Sequence, residues 1–190
     1  MIDPRLVAAL RVQLAARHGE RVGWKLGAGD SERLGDTLSV GHLTTTTLLE
    51  DGATYDSAGA ELHADAEIAV VVGVGYAPAL ELVDLHNSDA GAETVVATNI
   101  FHRAVAFGQT ADRLPSEGAL LVNGVERARA RVPDVGERMR SAEQVLRAVG
   151  ERFEPDDRVI TGSVVQVPVR AGDEVTADFG SLGRVSLRVA

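Results

Sequence analysis

Apolar and polar positions change their period several times along the chain, and each change predicts an element. Leu6, Val7, Leu10 and Leu14 recur at three- and four-residue intervals behind Asp3-Pro4, an N-cap followed by proline at the first helical position. His18-Gly19 supply the stop for that helix. Val22 to Gly27 reads as a short strand, which sets Trp24 and Lys25 on opposite faces. Residues 28–40 read as a loop punctuated by Gly, Asp and Ser. Gly41 to Leu49 has strand propensity, and Asp51-Gly52 offers a turn. His63 to Gly73 is a β-branched apolar run closed by glycine, and Pro78 to Asp84 follows after a short connection.

Residues 86–93 read as a polar loop, whereas Glu93 to Phe101 fits helix or strand equally well. Ala119 to Glu126 predicts a hairpin turning at Asn123-Gly124. Ser141 to Arg152 predicts a helix capped by Ser141, with Val145, Leu146 and Val149 on one face. The remaining chain is β-rich: Arg158 to Ser163, a turn at Ala171-Gly172-Asp173, then Val175 to Phe179 and Val185 to Val189. No internal repeat interrupts this order. The pattern predicts a single α+β domain over residues 1–190, with a mixed and strongly β core.

Composition narrows the function more than the fold. Aromatics are only 4% of 190 residues, so the core must come from Val, Leu and Ala. The net charge of −9 argues against a nucleic-acid groove or an anionic membrane surface, both of which need clustered Lys and Arg. The chain has no cysteine, which excludes disulfides, thiolate metal sites and cysteine nucleophiles. The first residues lack a signal-peptide layout, and no apolar run approaches ~18 residues, so a cytoplasmic location is expected.

The candidate chemistry lies in His63-Ala64-Asp65-Ala66-Glu67. Alternation on a strand places Asp65 and Glu67 on one face, about 7 Å apart along the backbone, with His63 beside them. Two carboxylates entering a buried strand repel one another and resist desolvation. A hard divalent cation such as Mg2+ or Mn2+ would remove that conflict; a solvated strand end would equally avoid it. Glu81 is a third acid close in sequence. Lys25 is either a solvated lysine or one facing the same cleft. No G-x-x-x-x-G-K-[ST] or complete G-x-G-x-x-G string occurs, so a phosphate loop is not expected.

Six short motifs stand in a telling order: Gly23-Trp24-Lys25-Leu26-Gly27, Asp65-Ala66-Glu67-Ile68-Ala69, Pro78-Ala79-Leu80-Glu81, Thr161-Gly162-Ser163, Ala171-Gly172-Asp173 and Gly180-Ser181-Leu182-Gly183. This succession resembles the 2-keto-4-pentenoate hydratase/4-oxalocrotonate decarboxylase branch of the fumarylacetoacetate hydrolase superfamily, over roughly residues 10–190 and least well over 125–140. The resemblance implies a mixed β-roll, a barrel-like sheet with flanking helices. It implies Mg2+ or Mn2+ held by Asp65, Glu67 and Glu81, Lys25 as a substrate or proton-transfer residue, and Thr161 and Ser163 near the substrate. It implies a lyase of aromatic catabolism acting on a small 2-oxo or 2-hydroxydienoic acid, by hydration first and by decarboxylation next. Acylpyruvate hydrolysis and a non-catalytic partner subunit are further alternatives. A homo-oligomer is also implied.

This chain departs from the family pattern in several places. The first metal acid is Asp65 where the family carries Glu. Thr44 to Thr47 stand where family hydratases carry an acid that partners the lysine. Thr98 replaces the Asp before the matched Asn99. Against the family pattern an N-terminal helical segment is missing, as is much of the linker between the Asp65-x-Glu67 strand and the third acid. His63 could compensate as a ligand, base or supporting residue. His42 and His102 lie near matched segments; His18 and His86 read as surface residues.

Overall fold

A computed structural model describes residues 3–27, 38–86 and 90–190. The elements are α1 (Pro4–Ala15), β1 (Arg21–Gly27), β2 (Ser39–Thr44), β3 (Leu48–Leu49), β4 (Thr54–Tyr55), β5 (Leu62–Val71), β6 (Gly75–Asp84) and α2 (Ala92–Ala97). They continue as β7 (His102–Phe107), β8 (Glu117–Val122), β9 (Val125–Arg131), α3 (Val135–Val149), β10 (Arg158–Ile160), β11 (Val165–Pro168), β12 (Glu174–Asp178) and β13 (Arg184–Val189). The loop expected over 28–40 falls mostly outside the described residues, and its last two positions, Ser39 and Val40, open β2.

Eight strands form a curled sheet in the order β2-β1-β10-β5-β6-β7-β3, with β11 also pairing with β5. Five more form a second sheet, β4-β13-β12-β8-β9. This is the mixed, barrel-like α+β fold expected from the motif order. The axis of the large sheet is the β5–β6 hairpin, ten residues a side, which turns tightly at Val72 to Val74. Alternation along β5 divides its side chains between two cores. Ala64, Ala66 and Ile68 face the second sheet, with Leu80, Leu82, Leu120, Val175 and Leu187. Ala69 and Val71 point into the curl, with Leu43, Ala79, Val105 and Ile160. Asp65 and Glu67 continue that inner row.

Helices cover the other end of the sheet. Trp24 is fully buried against a layer built from Leu6, Leu10, Val96 and Leu146. Its indole N–H donates to Asp157 Oδ2 at 3.1 Å, which satisfies the one polar atom that burial would strand. Lys25, the next residue, therefore points into the curl, as alternation required. The parallel register of β1 on β10 depends on Gly23, where a Cβ would lie 1.8 Å from the Arg158 carbonyl oxygen. No side chain fits there.

Two local expectations need correction, and one stretch left open is decided. The first helix ends at Ala15 rather than at His18-Gly19, because the Ala16 and Arg17 N–H groups already bond back to Gln13 and Leu14 in a tightened last turn. The later helix begins at Val135, six residues before Ser141. Asp134 is its N-cap and accepts from the Glu137 N–H at 2.9 Å, and Gly150 ends it in the left-handed conformation at φ 84°. The ambiguous stretch before β7 is the short helix α2, followed by three consecutive left-handed residues, Asn99, Ile100 and Phe101. Such backbone costs on the order of 1–3 kcal/mol per residue and needs outside support. Asn99 supplies some of it: its side chain accepts from the His42 N–H at 2.8 Å and donates to the His42 carbonyl at 3.0 Å. No helix of the described residues is long and apolar enough to cross a membrane.

Candidate active site

The register of β5 on β6 places Asp65 directly opposite Glu81, with Glu67 two residues along on the same face. Each of the three offers a carboxylate oxygen within 4.8 Å of the others, and all three residues are buried. Lys25 enters from β1, and its Nζ donates to Glu81 Oε1 at 2.6 Å. The same oxygen lies 2.6 Å from His102 Nδ1, while His102 Nε2 lies 2.9 Å from the Thr47 hydroxyl. Glu81 Oε2 is buried with no hydrogen-bond partner among the described residues. Asp65 accepts from the Ser163 hydroxyl at 3.3 Å, and Glu67 accepts from the Gly162 N–H at 2.8 Å. Gly162 can present that N–H because its backbone is left-handed, at φ 92°.

Burial and charge act differently on the three acids. Asp65 is pushed up to about 7, by burial first and then by the Glu81 charge. Burial, followed by the charges of Glu81 and Asp65, raises Glu67 well above the usual carboxylate range. Burial opposes ionisation of Glu81 as well, but Lys25 and His102 together hold it below its ordinary value. The pocket thus holds one secured carboxylate, Glu81, and two, Asp65 and Glu67, that retain protons in the absence of a countercharge.

These residues fit a divalent cation. Three convergent carboxylates are a hard oxygen donor set, and bonds of about 2.1–2.5 Å could span them. The Oε2 of Glu81 is a strong acceptor with no donor in the described chain beyond a proton held on Glu67, and a cation would displace that proton. A cation would also replace the protons on Asp65 and Glu67.

Binding should therefore be pH-dependent. Mn2+ affinity of chelator-stripped protein should fall as pH drops below about 7, where Asp65 takes up its proton, by roughly tenfold per pH unit for each proton displaced. The stability of the metal-free protein should move the other way. Its raised acids hold protons that the unfolded chain has already released, so this cluster destabilises the fold progressively as pH rises from about 4 through 7. Thermal unfolding at pH 6 and pH 8, with and without Mn2+, checks both signs: the Mn2+ gain should be larger at pH 8.

A cavity of about 140 Å3 opens beside the acids. Lys25, Asp65, Glu67, Ser163 and Gln166 line its polar end. Val83, Leu85, Val95, Ile100 and Phe101 form an apolar wall.

The structure brings Lys25, Asp65, Glu67, Glu81 and Ser163 together. Thr161 stands apart: it is 1% exposed, its hydroxyl donates to the Ile68 carbonyl at 3.0 Å, and it does not line the cavity. Its carbonyl instead accepts from Arg138 at 2.7 Å, which braces the loop that carries Gly162. His63 sits beyond Asp65, opposite Val83, does not line the cavity, and its Nδ1 has no partner among the described residues. His42 bonds Gln13 rather than the acids. The threonine stretch lies beside the site through Thr47, and the partner of the lysine is Glu81 itself.

Sequence reasoning missed Gln166, and gave no role to His102. Strict alternation along β7 would set His102 with Ala104 and Ala106, away from the acids. A register slip between Leu82 and Val83, together with the left-handed turn before β7, redirects it.

No family model matches the chain, and no curated protein matches it at a significant level. Solved structures do match. One is 4-oxalocrotonate decarboxylase from Pseudomonas putida G7, complexed with magnesium and adipate, at TM-score 0.86 and 23% identity, covering 97% of this chain and 86% of that one. Another is fumarylpyruvate hydrolase from Pseudomonas aeruginosa in complex with Mn2+ and pyruvate, at TM-score 0.63 and 19% identity, covering 90% of each chain. A third, a Yersinia pestis CO92 protein described as of the fumarylacetoacetate hydrolase family, matches at TM-score 0.66 and 17% identity over 88% of this chain and 92% of that one. The fold built around the β5–β6 hairpin is the fumarylacetoacetate hydrolase fold, here in a divergent sequence.

Proposed function

We propose that this protein is a divalent-metal-dependent lyase acting on a small 2-oxo or 2-hydroxydienoic acid, with hydration of a 2-hydroxypenta-2,4-dienoate-type substrate as the favoured reaction. The observation that carries it is the buried triad of Asp65, Glu67 and Glu81, with an unpartnered Glu81 oxygen and with Lys25 in the same cavity. When bound there, Mg2+ or Mn2+ supplies chelation of the carboxylate and keto oxygens of such an acid, and Lewis-acid stabilisation of the charge that develops on deprotonation. A neighbour in complex with Mn2+ and pyruvate, itself a 2-oxo acid, supports this chemistry.

The chain's own groups divide the remaining work. Glu81 stays ionised because Lys25 and His102 hold it so, which keeps one ligand ready. Ser163 and the Gly162 N–H orient Asp65 and Glu67. Lys25 Nζ can hold a proton at the polar end of the cavity and is the candidate general acid–base group. The apolar wall takes the tail of the substrate, and the polar end of the cavity is left for the water that adds to it.

That wall favours hydration over decarboxylation of a dicarboxylate. Among the described residues Lys25 is the only cationic side chain lining the cavity, and Glu81 already engages it. A second carboxylate laid against Val83, Leu85 and Phe101 would lose its hydration without gaining a partner among the described residues. Decarboxylation is the second reading, favoured by the TM-score of 0.86 to a decarboxylase.

Calorimetric titration of chelator-stripped protein with Mg2+ and Mn2+, with and without oxalate as an enolate mimic, tests the proposal. Metal binding that oxalate tightens, and that Glu67→Ala abolishes, is the expected result. No heat under either condition overturns it.

A further inference from the structure

We propose that His102 is a positioning residue for the metal centre: it fixes Glu81 so that Oε1 is consumed inside the protein and Oε2 is left for the cation. This rests on the metal-centre reading given under Proposed function, and goes beyond it by assigning a device outside the three acids.

A carboxylate has two equivalent oxygens and can rotate to exchange them. At Glu81 the two are not equivalent. Oε1 receives both Lys25 Nζ and His102 Nδ1, each at 2.6 Å, and Oε2 receives nothing among the described residues. Lys25 alone could follow a rotating carboxylate, because an ammonium on a four-carbon stem has three donors and many rotamers. His102 cannot. Its ring is 1% exposed, and both nitrogens are engaged, Nδ1 by Glu81 and Nε2 by Thr47 Oγ1 at 2.9 Å.

Glu81 is held ionised, so the His102 Nδ1–H donates to its Oε1. Thr47 Oγ1 lies 2.9 Å from His102 Nε2 and donates to the Thr44 carbonyl at 3.3 Å, which holds the far side of the ring. Thr47 thereby sets the ring that sets the carboxylate. Thr47 is the one residue of the Thr44–Thr47 stretch that reaches this network among the described contacts. The left-handed Asn99 to Phe101 segment serves the same end, since it delivers His102 to β7 at the register slip. A polar group that orients a ligating residue without touching the metal typically changes affinity 10–100-fold when removed.

The test is Mn2+ affinity by calorimetry at pH 8 on chelator-stripped wild type, His102→Leu, His102→Asn and Thr47→Val, with thermal unfolding of each metal-free protein. His102→Leu keeps the bulk and removes the donor, and should weaken Mn2+ binding by about 10–100-fold. His102→Asn places an amide N–H near the old Nδ1, and should recover affinity to within about fivefold of wild type. Thr47→Val should weaken binding by a few-fold with little change in unfolding temperature. Wild-type affinity in His102→Leu, or equal losses in the Leu and Asn variants, overturns the proposal and leaves the metal centre standing. Should His102→Leu fail to fold, unchanged affinity in Thr47→Val overturns it. Wild type that binds no Mn2+ refutes the metal centre itself, and this inference with it.

Discussion

Glu81→Ala will abolish measurable Mn2+ binding and lower the unfolding free energy by about 3–5 kcal/mol, the range for removing one partner of a buried ion pair. Both effects arise from the same carboxylate, the pair through Oε1 and the cation through Oε2. Lys25 is 4% exposed and Glu81 is fully buried, so deleting the carboxylate leaves an ammonium in a dry pocket. It also strands the His102 Nδ1–H, which loses its one acceptor among the described residues. Glu81→Gln separates the two consequences. An amide oxygen still accepts from Lys25 and His102, so most of the stability should remain, while the missing charge weakens the cation site by at least tenfold. A double variant, Lys25→Met with Glu81→Leu, should regain stability by replacing the pair with apolar volume and should still bind no metal. Chemical denaturation of the four proteins beside calorimetry is sufficient. A Glu81→Ala protein as stable as wild type would mean that the pair is not dry.

The acid pair and the strand that carries it were legible because they obey period two. Asp65 and Glu67 follow His63 in strict alternation, whereas Glu81 was reached through the family resemblance and its place opposite Asp65 is set by the β5–β6 register. The neighbours Trp24 and Lys25 split between the helical layer and the curl for the same reason. Failures came where the chain breaks a period. His102 begins a strand at a register slip, after three left-handed residues of which one is a β-branched isoleucine, and no propensity anticipates that. The start of α3 was misplaced because Gly136 weakens the helical pattern of its first turn, whereas the Asp134-x-x-Glu137 cap that overrides it depends on a single side-chain bond. Thr161 shows the limit of a motif. The string Thr161-Gly162-Ser163 does reach the site, but through the Gly162 peptide and the Ser163 hydroxyl, while the threonine hydroxyl is spent on the Ile68 carbonyl.

Lys25→Met should leave the metal and remove the turnover. Methionine keeps most of the stem's volume in the buried channel between β1 and Glu81, so packing changes little. Two electrostatic effects on the cation then oppose one another. Removing the ammonium deletes a positive charge beside the metal, which favours binding; it also lets burial raise the proton affinity of Glu81, which disfavours it. At pH 8, where solution protons are scarce, the net change in Mn2+ affinity should stay within about tenfold. Activity has no such compensation. Lys25 is the cavity's one cationic donor among the described residues, and a positioned acid–base group contributes about 10²–10⁴ to rate. The loss of dienoate absorbance on 2-hydroxypenta-2,4-dienoate should therefore slow by that factor in kcat, with KM little changed. Lys25→Arg should not rescue it: a guanidinium keeps the charge but neither fits the 2.6 Å contact on Glu81 nor releases a proton near neutral pH. Turnover at the wild-type rate in Lys25→Met would remove the lysine from the chemistry and leave it only the task of holding Glu81 ionised.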